Sequence, residues 1–260
     1  MAGIDVVLVI YNKPLAQSQT AATLNAPGDA RVIIVDNSTA DYGNREFAQA
    51  RGYEYVDMGG NAGLSRAYNR VIDTLEKDDG LLCLFDDDTE VDSRYFEALR
   101  KAAEAHPEID VFAPVVMDQK GIMSPCVIRG VSCRRVKSLG ELPERGVSAI
   151  NSGLAVRRRV FAGYRYDEGQ FLDYVDHAFL RDITGHERAR IYILEDVVLK
   201  QAFSGSKSGQ GRAFVFSKSS SKVVALNSPT FINTRSALRS HKLARHIAIL
   251  SAVKVTLPFS

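Results

Sequence analysis

The sequence predicts an α/β protein built on a mainly parallel sheet, and three observations carry that expectation. Short apolar runs alternate with helical patterns as far as residue 107, the order expected of successive βα units. The runs end in polar clusters, Tyr11-Asn12, Asp36-Asn37-Ser38 and Asp86-Asp87-Asp88, and open α/β sheets bind ligands outside such carboxyl ends. A chain of 260 residues with 45% hydrophobic and 25% charged residues can also bury a sizeable core.

Taken in order, Val6 to Ile10 reads as a first strand, and Pro14 to Leu24 as a helix with proline in its first turn. Val32 to Val35 and Tyr53 to Val56 follow as strands, Gly63 to Leu75 as a helix, Leu81 to Phe85 as a strand and Ser93 to Ala105 as a helix. Thr89, Asp92 or Ser93 would serve as the N-cap of the last. Beyond residue 107 the alternation stops, and Val111 to Met117 and Val131 to Val136 suggest an antiparallel add-on beside the parallel part. Residues 204–228 read as a flexible Gly/Ser/Lys-rich loop, and 229–260 as a basic amphipathic helical tail.

The junction behind Leu81-Leu82-Cys83-Leu84-Phe85 is the most informative stretch. Three adjacent carboxylates repel one another, so a cation must gather them or they must splay into water. Along an extended segment Asp86 and Asp88 point one way and Asp87 the other, which leaves a D-x-D pair able to share a hard cation. The alternative is an acidic turn that caps the following helix.

Charge is unevenly distributed. Residues 201–260 carry nine Lys or Arg and no Asp or Glu, leaving 24 basic against 31 acidic residues before them. A basic appendage on an acidic body points to an anionic partner, whether a membrane surface, a lipid diphosphate or nucleic acid, or else forms a solvated face. The three cysteines, Cys83, Cys126 and Cys133, suggest neither a disulfide framework nor a zinc site, which favours a reducing cytoplasm. No signal peptide or spanning run is expected from the sequence.

Six segments in register then resemble the inverting family 2 glycosyltransferases of the GT-A fold, specifically their bacterial rhamnosyltransferase-like branch. They are VVLVIYNK (6–13), IIVDNST (33–39), GGNAGLSRAYN (59–69), LLCLFDDDTEV (81–91), INSGLAVRR (150–158) and FLDYVDHAFLRD (171–182). The resemblance runs over about residues 5–203, implies one GT-A domain over 1–203 with a Rossmann-like nucleotide-binding sheet, and implies a role for each motif. Tyr11 and Asp36 would line the nucleoside pocket, where Asp36 either accepts from the N3–H of uracil or thymine or forms an Asx-turn. Asn61, Gly63 and Arg66 would stand near the diphosphate, with Asn61 equally suited to be an N-cap. Asp88 would hold Mg²⁺ or Mn²⁺ together with Asp86, and Asp86 would also meet the ribose. Ser152 and Gly153 would line the donor sugar, or else form a common serine-glycine turn before a helix. Asp176 would be the general base, with Asp173 as fallback, and Arg181 an ion-pair partner or a diphosphate contact.

Two positions depart from the family pattern. Ala178 stands where many relatives have an acid, and no histidine ligand occurs near residue 201, so Gln201 or water would complete the metal shell, or Lys200 would add charge. His177 would touch acceptor or lie on the surface. The implied activity is transfer of a sugar from a nucleotide diphosphate donor to a saccharide or lipid-linked glycan. L-Rhamnose from dTDP-rhamnose is the first expectation and galactofuranose from UDP the second. A sugar-nucleotide or nucleic-acid binding module is the non-enzymatic alternative. A nucleotidyltransferase would want a glycine-rich basic motif after the first strand, where this chain has Tyr11-Asn12-Lys13-Pro14.

Overall fold

The computed structural model describes residues 3–76, 78–129, 132–185 and 189–201 with their side chains, and the backbone of 213–216 and 223–226. The chain divides into two compact units, Met1–Lys207 and Ser208–Ser260.

The first unit opens with β1 (Ile4–Ile10), α1 (Gln19–Thr23), β2 (Arg31–Asp36), α2 (Asn44–Ala50), β3 (Glu54–Asp57), α3 (Leu64–Ile72) and β4 (Leu81–Phe85). It continues through β5 (Thr89–Glu90), α4 (Tyr95–Ala105), β6 (Val111–Asp118), β7 (Gly121–Ser124), β8 (Cys126–Arg129), β9 (Ser132–Arg135) and β10 (Val147–Ser148). The last elements are β11 (Leu154–Arg157), α5 (Val175–Gly185) and β12 (Ile191–Gln201). The strands of the main sheet run in the order β3-β2-β1-β4-β11-β6-β12-β5, with β7 on β6. β1, β2, β3 and β4 are parallel. Both faces of β1 are covered, which is why it reads as an unbroken apolar run. Ile4, Val6, Leu8 and Ile10 pack into a layer with Tyr95, Phe96 and Leu99 of α4, while Val7 faces the opposite layer with Tyr68 of α3 and Phe179 of α5.

Three expectations change. The helix expected over Pro14 to Leu24 is a 3-10 turn (Leu15–Gln17) followed by α1, because Ser18 is extended and its hydroxyl accepts from the Ala21 N–H at 3.0 Å. The antiparallel add-on is present as the small sheet of β8, β9 and β10, with β9 in the expected strand, while β11 inserts antiparallel between β4 and β6 and β12 runs parallel to β6. Ser152-Gly153 precedes strand β11 rather than a helix. Within 204–228, expected as a loop, Ala213–Phe216 (β13) and Val223–Leu226 (β14) pair antiparallel. The basic tail 229–260 lies outside the described residues. Among the described residues no helix is long and apolar enough to cross a membrane.

Arg158, just after β11, holds the amino-terminal edge of the sheet. Its guanidinium donates to Asp5 at 2.8 Å on buried β1 and forks onto Asp78 at 2.7 and 2.8 Å before β4. Gly80 permits the approach, since a Cβ there would meet the guanidinium at 2.0 Å. In Arg158→Ala the Asp5 carboxylate keeps only Arg31, 3.6 Å away. The expected cost is about 3–5 kcal/mol in denaturant unfolding, as for other broken buried pairs. A loss below about 1 kcal/mol, the range of surface pairs, would show that the sheet does not depend on it.

Candidate active site

The carboxyl ends of β1 and β4 open into a cavity of about 650 Å³. Asp86, Asp87 and Asp88 form its floor, and Asp173 and Asp176 face them from the segment that begins α5. His177 is the single basic side chain on its lining. An adjoining chamber of about 1060 Å³ shares Asp88 and Gln201 with the first and adds Lys13, Lys120 and Lys200.

Contacts from several elements hold the aspartate turn. Ser18 donates to the Asp87 carbonyl at 2.8 Å, and Thr20 donates to the Asp86 carbonyl. Asp87 points away from its neighbours and pairs with Lys13 Nζ at 2.8 Å. Asp86 and Asp88 converge instead on Gln201, the last residue of β12, whose Nε2 lies 3.3 Å from Asp86 Oδ2 and 2.8 Å from Asp88 Oδ1. Ser152 Oγ lies 2.8 Å from Asp86 Oδ2 and 3.0 Å from Gln201 Oε1. Strand alternation thus separates Asp87 from the D-x-D pair.

Burial, with Asp88 and Asp176 as nearby like charges, pushes the Asp86 carboxyl up to about 6. Asp88 is also raised, chiefly by burial, and Asp176 likewise. The Asp176 Oδ1 accepts from the His177 backbone N–H at 2.7 Å. Tyr174, which opens α5, has φ +70°, a left-handed backbone that costs about 1–3 kcal/mol in a non-glycine residue. Tyr174 and its neighbour Asp173 both line the cavity.

Other candidates fall into two groups. Tyr11, Asn61 and Gly63 line the cavity with Asp86, Asp88 and Asp176. Asn61 stands outside α3, whose N-cap is Gly63 at φ +88°. A Cβ on Gly63 would meet the Phe171 ring at 2.7 Å, and the Leu64 N–H donates to the Phe171 carbonyl at 2.6 Å. The start of α3 is therefore docked on the segment before α5, and its leading N–H is already engaged.

The remaining candidates do not line this cavity. Arg66 pairs with Glu168 at 3.2 Å on the surface, and Arg181 pairs with Asp182. Asp36 borders a separate depression of about 360 Å³ and accepts from Asn44, Tyr55 and the Ser38 N–H at 2.8–2.9 Å, while its neighbour Asn37 borders the main cavity. The Asx-turn and the buried position at a strand end are thus both realised at Asp36. Ser152 and Gly153 act from behind. Gly153, at φ +79°, leaves 2.5 Å between a would-be Cβ and Leu199, so only glycine lets the chain pass while Ser152 reaches Asp86. The Asn151, Phe171 and Leu172 walls and the Lys13–Asp87 pair were not expected from sequence. Lys13 stands in the VVLVIYNK segment, and its place one turn beyond a strand end was the available signal.

Comparison with known proteins agrees with this architecture. Residues 5–125 match the family described as glycosyl transferase family 2. The dTDP-rhamnosyl transferase RfbF of Shigella flexneri is 27% identical over 181 residues, covering 67% of this chain and 61% of RfbF, so the chain spans less than two thirds of that relative. Among solved structures, GalNAc-T7 with UDP, GalNAc and Mn²⁺ superposes with a TM-score of 0.58 at 15% identity, over 77% of this chain and 44% of its own. S. aureus TarS, residues 1–349, gives 0.55 at 17% identity, over 78% of this chain and 60% of its own. The sheet is that of the GT-A fold, and the match to glycosyl transferase family 2 covers the chain from Asp5 to Pro125.

Proposed function

We propose that the chain is an inverting glycosyltransferase that moves a sugar from a nucleoside diphosphate donor to a hydroxyl of a saccharide, on a surface polysaccharide or a lipid-linked glycan. The carrying observation is the facing of Asp176 and the Asp86–Asp88 pair across one cavity. Five carboxylates against one histidine make that cavity hostile to an anionic diphosphate unless a cation enters with it.

The donor set fits a hard divalent ion. Asp86 and Asp88 offer carboxylate oxygens already drawn to one point by Gln201, and burial, with Asp88 and Asp176 as like charges, raises the Asp86 carboxyl. Asp88 and Asp86 would hold Mg²⁺ or Mn²⁺, with the Gln201 amide oxygen or water filling the place of a histidine. Bound there, the ion would neutralise charge on the departing diphosphate. Mn²⁺ and UDP accompany GalNAc-T7 in its crystal structure, which supports this assignment.

Asp176 serves as general base. The acceptor oxygen attacks the anomeric carbon opposite the diphosphate, the sugar–phosphate bond breaks with its electron pair passing to the phosphate oxygen, and the acceptor proton passes to Asp176. With Oδ1 holding the His177 N–H, Oδ2 is the oxygen that receives it. Partial burial raises the affinity of the carboxylate for that proton, as a base requires.

The nucleoside is assigned to Tyr11 and the Asp36 depression, and the sugar to the cavity above Ser152. L-Rhamnose from dTDP-rhamnose is the first donor, supported by the RfbF relationship, and galactofuranose from UDP the second. The charge excess of residues 201–260 favours an anionic membrane surface at the cytoplasmic leaflet, near a lipid-linked acceptor.

Two outcomes are expected of donor binding and transfer. In a thermal-shift panel of dTDP- and UDP-sugars with Mn²⁺ or Mg²⁺, at least one donor stabilises the wild type. Asp176→Asn keeps that shift while transfer falls by about 10²-fold or more. A panel without any stabilising nucleotide, or full turnover in the variant, would overturn the assignment.

A raised carboxyl favours its protonated form in the folded chain, so the Asp86 contribution is full below the ordinary 3.8 and lost as pH rises through about 6. In EDTA near neutral pH, Asp86→Asn therefore melts higher than wild type, the gap closes towards pH 4, and Mn²⁺ stabilises wild type alone. A variant that melts lower in EDTA would contradict this. Sedimentation with anionic vesicles, and not neutral ones, is expected of the full chain but not of residues 1–203; equal sedimentation would remove the tail from membrane binding.

A further inference from the structure

Cys126 on β8, Cys133 on β9 and His177 in the first turn of α5 bring their ligand atoms within 4.8 Å of one another. None of the three is a carboxylate, and the cluster stands apart from the oxygen donors at Asp86 and Asp88. The β8–β9 register sets Cys133 opposite Ile128 and Arg135 opposite Cys126, so both sulfurs share one face of the hairpin as diagonal neighbours. Such neighbours lie about 7–8 Å apart at the backbone, beyond the ~4.4–6.8 Å that a disulfide spans. The separation suits an ion between the sulfurs better than a bond joining them.

The third ligand is oriented from a different strand. His177 Nδ1 lies 2.8 Å from Ser148 Oγ on β10, the kind of outer contact that fixes a ligating imidazole. Cys126 is buried and Cys133 exposed, so the cluster combines a firm base with an entry path. The Cys126 thiol and His177 also pull Cys133 below the ordinary thiol range, towards the thiolate that metals bind. Two sulfurs and an imidazole are the donors of zinc-like ions, whereas Mg²⁺ and Mn²⁺ select oxygen.

We propose that Cys126, Cys133 and His177 form a second metal site, which takes a borderline-soft divalent cation such as Zn²⁺ and clips the β8–β9 hairpin to the first turn of α5. Binding displaces the remaining thiol protons to solvent, and three protein ligands leave one coordination position for water. Because the His177 backbone N–H donates to Asp176, the clip also steadies the carboxylate on the cavity wall.

The test uses Co²⁺ as a spectroscopic probe on the reduced full-length chain. Wild type is expected to show a thiolate-to-cobalt charge-transfer band that saturates at one ion per chain and is bleached by Zn²⁺. Asp88→Ala, which removes only the oxygen site, keeps the band, whereas Cys133→Ser at an exposed position loses it, as does Cys126→Ser. A reduced wild type without the band would overturn the site, and so would a band that survives in folded Cys133→Ser. Zn²⁺ should also raise the melting temperature of Asp88→Ala but not of Cys133→Ser; equal shifts in the two would mean binding elsewhere.

Discussion

Mutual repulsion between Asp86, Asp88 and Asp176 is what the surrounding structure is arranged to contain. Asp86 and Asp88 leave the buried strand β4 on the same side, and their charge is met by dipoles and not by a cation. Ser152 arrives from the turn before β11, and Gln201 from the end of β12. Lys13, after β1, is spent on Asp87. Each restraint therefore comes from a different strand, and the site exists only while the sheet order β1-β4-β11-β6-β12 is kept. The Gly153 N–H donating to the Leu84 carbonyl at 2.8 Å is the stitch between the aspartate strand and the serine that steadies it. The proposed cation, entering with the anionic donor, would supply the positive charge that this site is short of.

Much of this was legible in the sequence because the relevant signals are local. The apolar runs at β1, β2 and β4, each followed by polar residues, placed the strand ends, and strand periodicity alone separated Asp87 from Asp86 and Asp88. What could not be read depended on pairing. Leu154–Arg157 is only four residues long and buried on both faces, so its antiparallel insertion is decided by β4 and β6 and leaves no pattern of its own. β12 carries a register shift between Leu194 and Val198 that breaks its alternation, which hid the strand that delivers Gln201. α2 is a short helix entered through Gly43 in a left-handed conformation, without a side-chain cap to announce it.

The site residues divide in the same way. Asp86 and Asp88 stand in a segment whose chemistry shows in the residues themselves, whereas Asp176 was pointed to by the family resemblance. Arg66 sits at a helix start where an anion contact is reasonable, yet Glu168, brought near by the segment before α5, takes it instead. Cys126, Cys133 and His177 are scattered along the chain and gave no ligand spacing, because a hairpin and a helix start, not a contiguous motif, assemble them. The two clusters differ in donor type and border on the same residue pair, Asp176 and His177, so one helix start serves an oxygen-lined cavity on one side and a sulfur-lined cluster on the other.

In the proposed function, the carboxylates at the end of β4 gather a hard cation and a nucleoside diphosphate at one place. Anomalous scattering from crystals grown with Mn²⁺ and dTDP or UDP tests it most directly. A manganese peak is expected in contact with the Asp88 and Asp86 carboxylates and with both phosphates of the nucleotide. A nucleotide bound in the crevice with no manganese at Asp88, or manganese there with the nucleotide elsewhere, would contradict it.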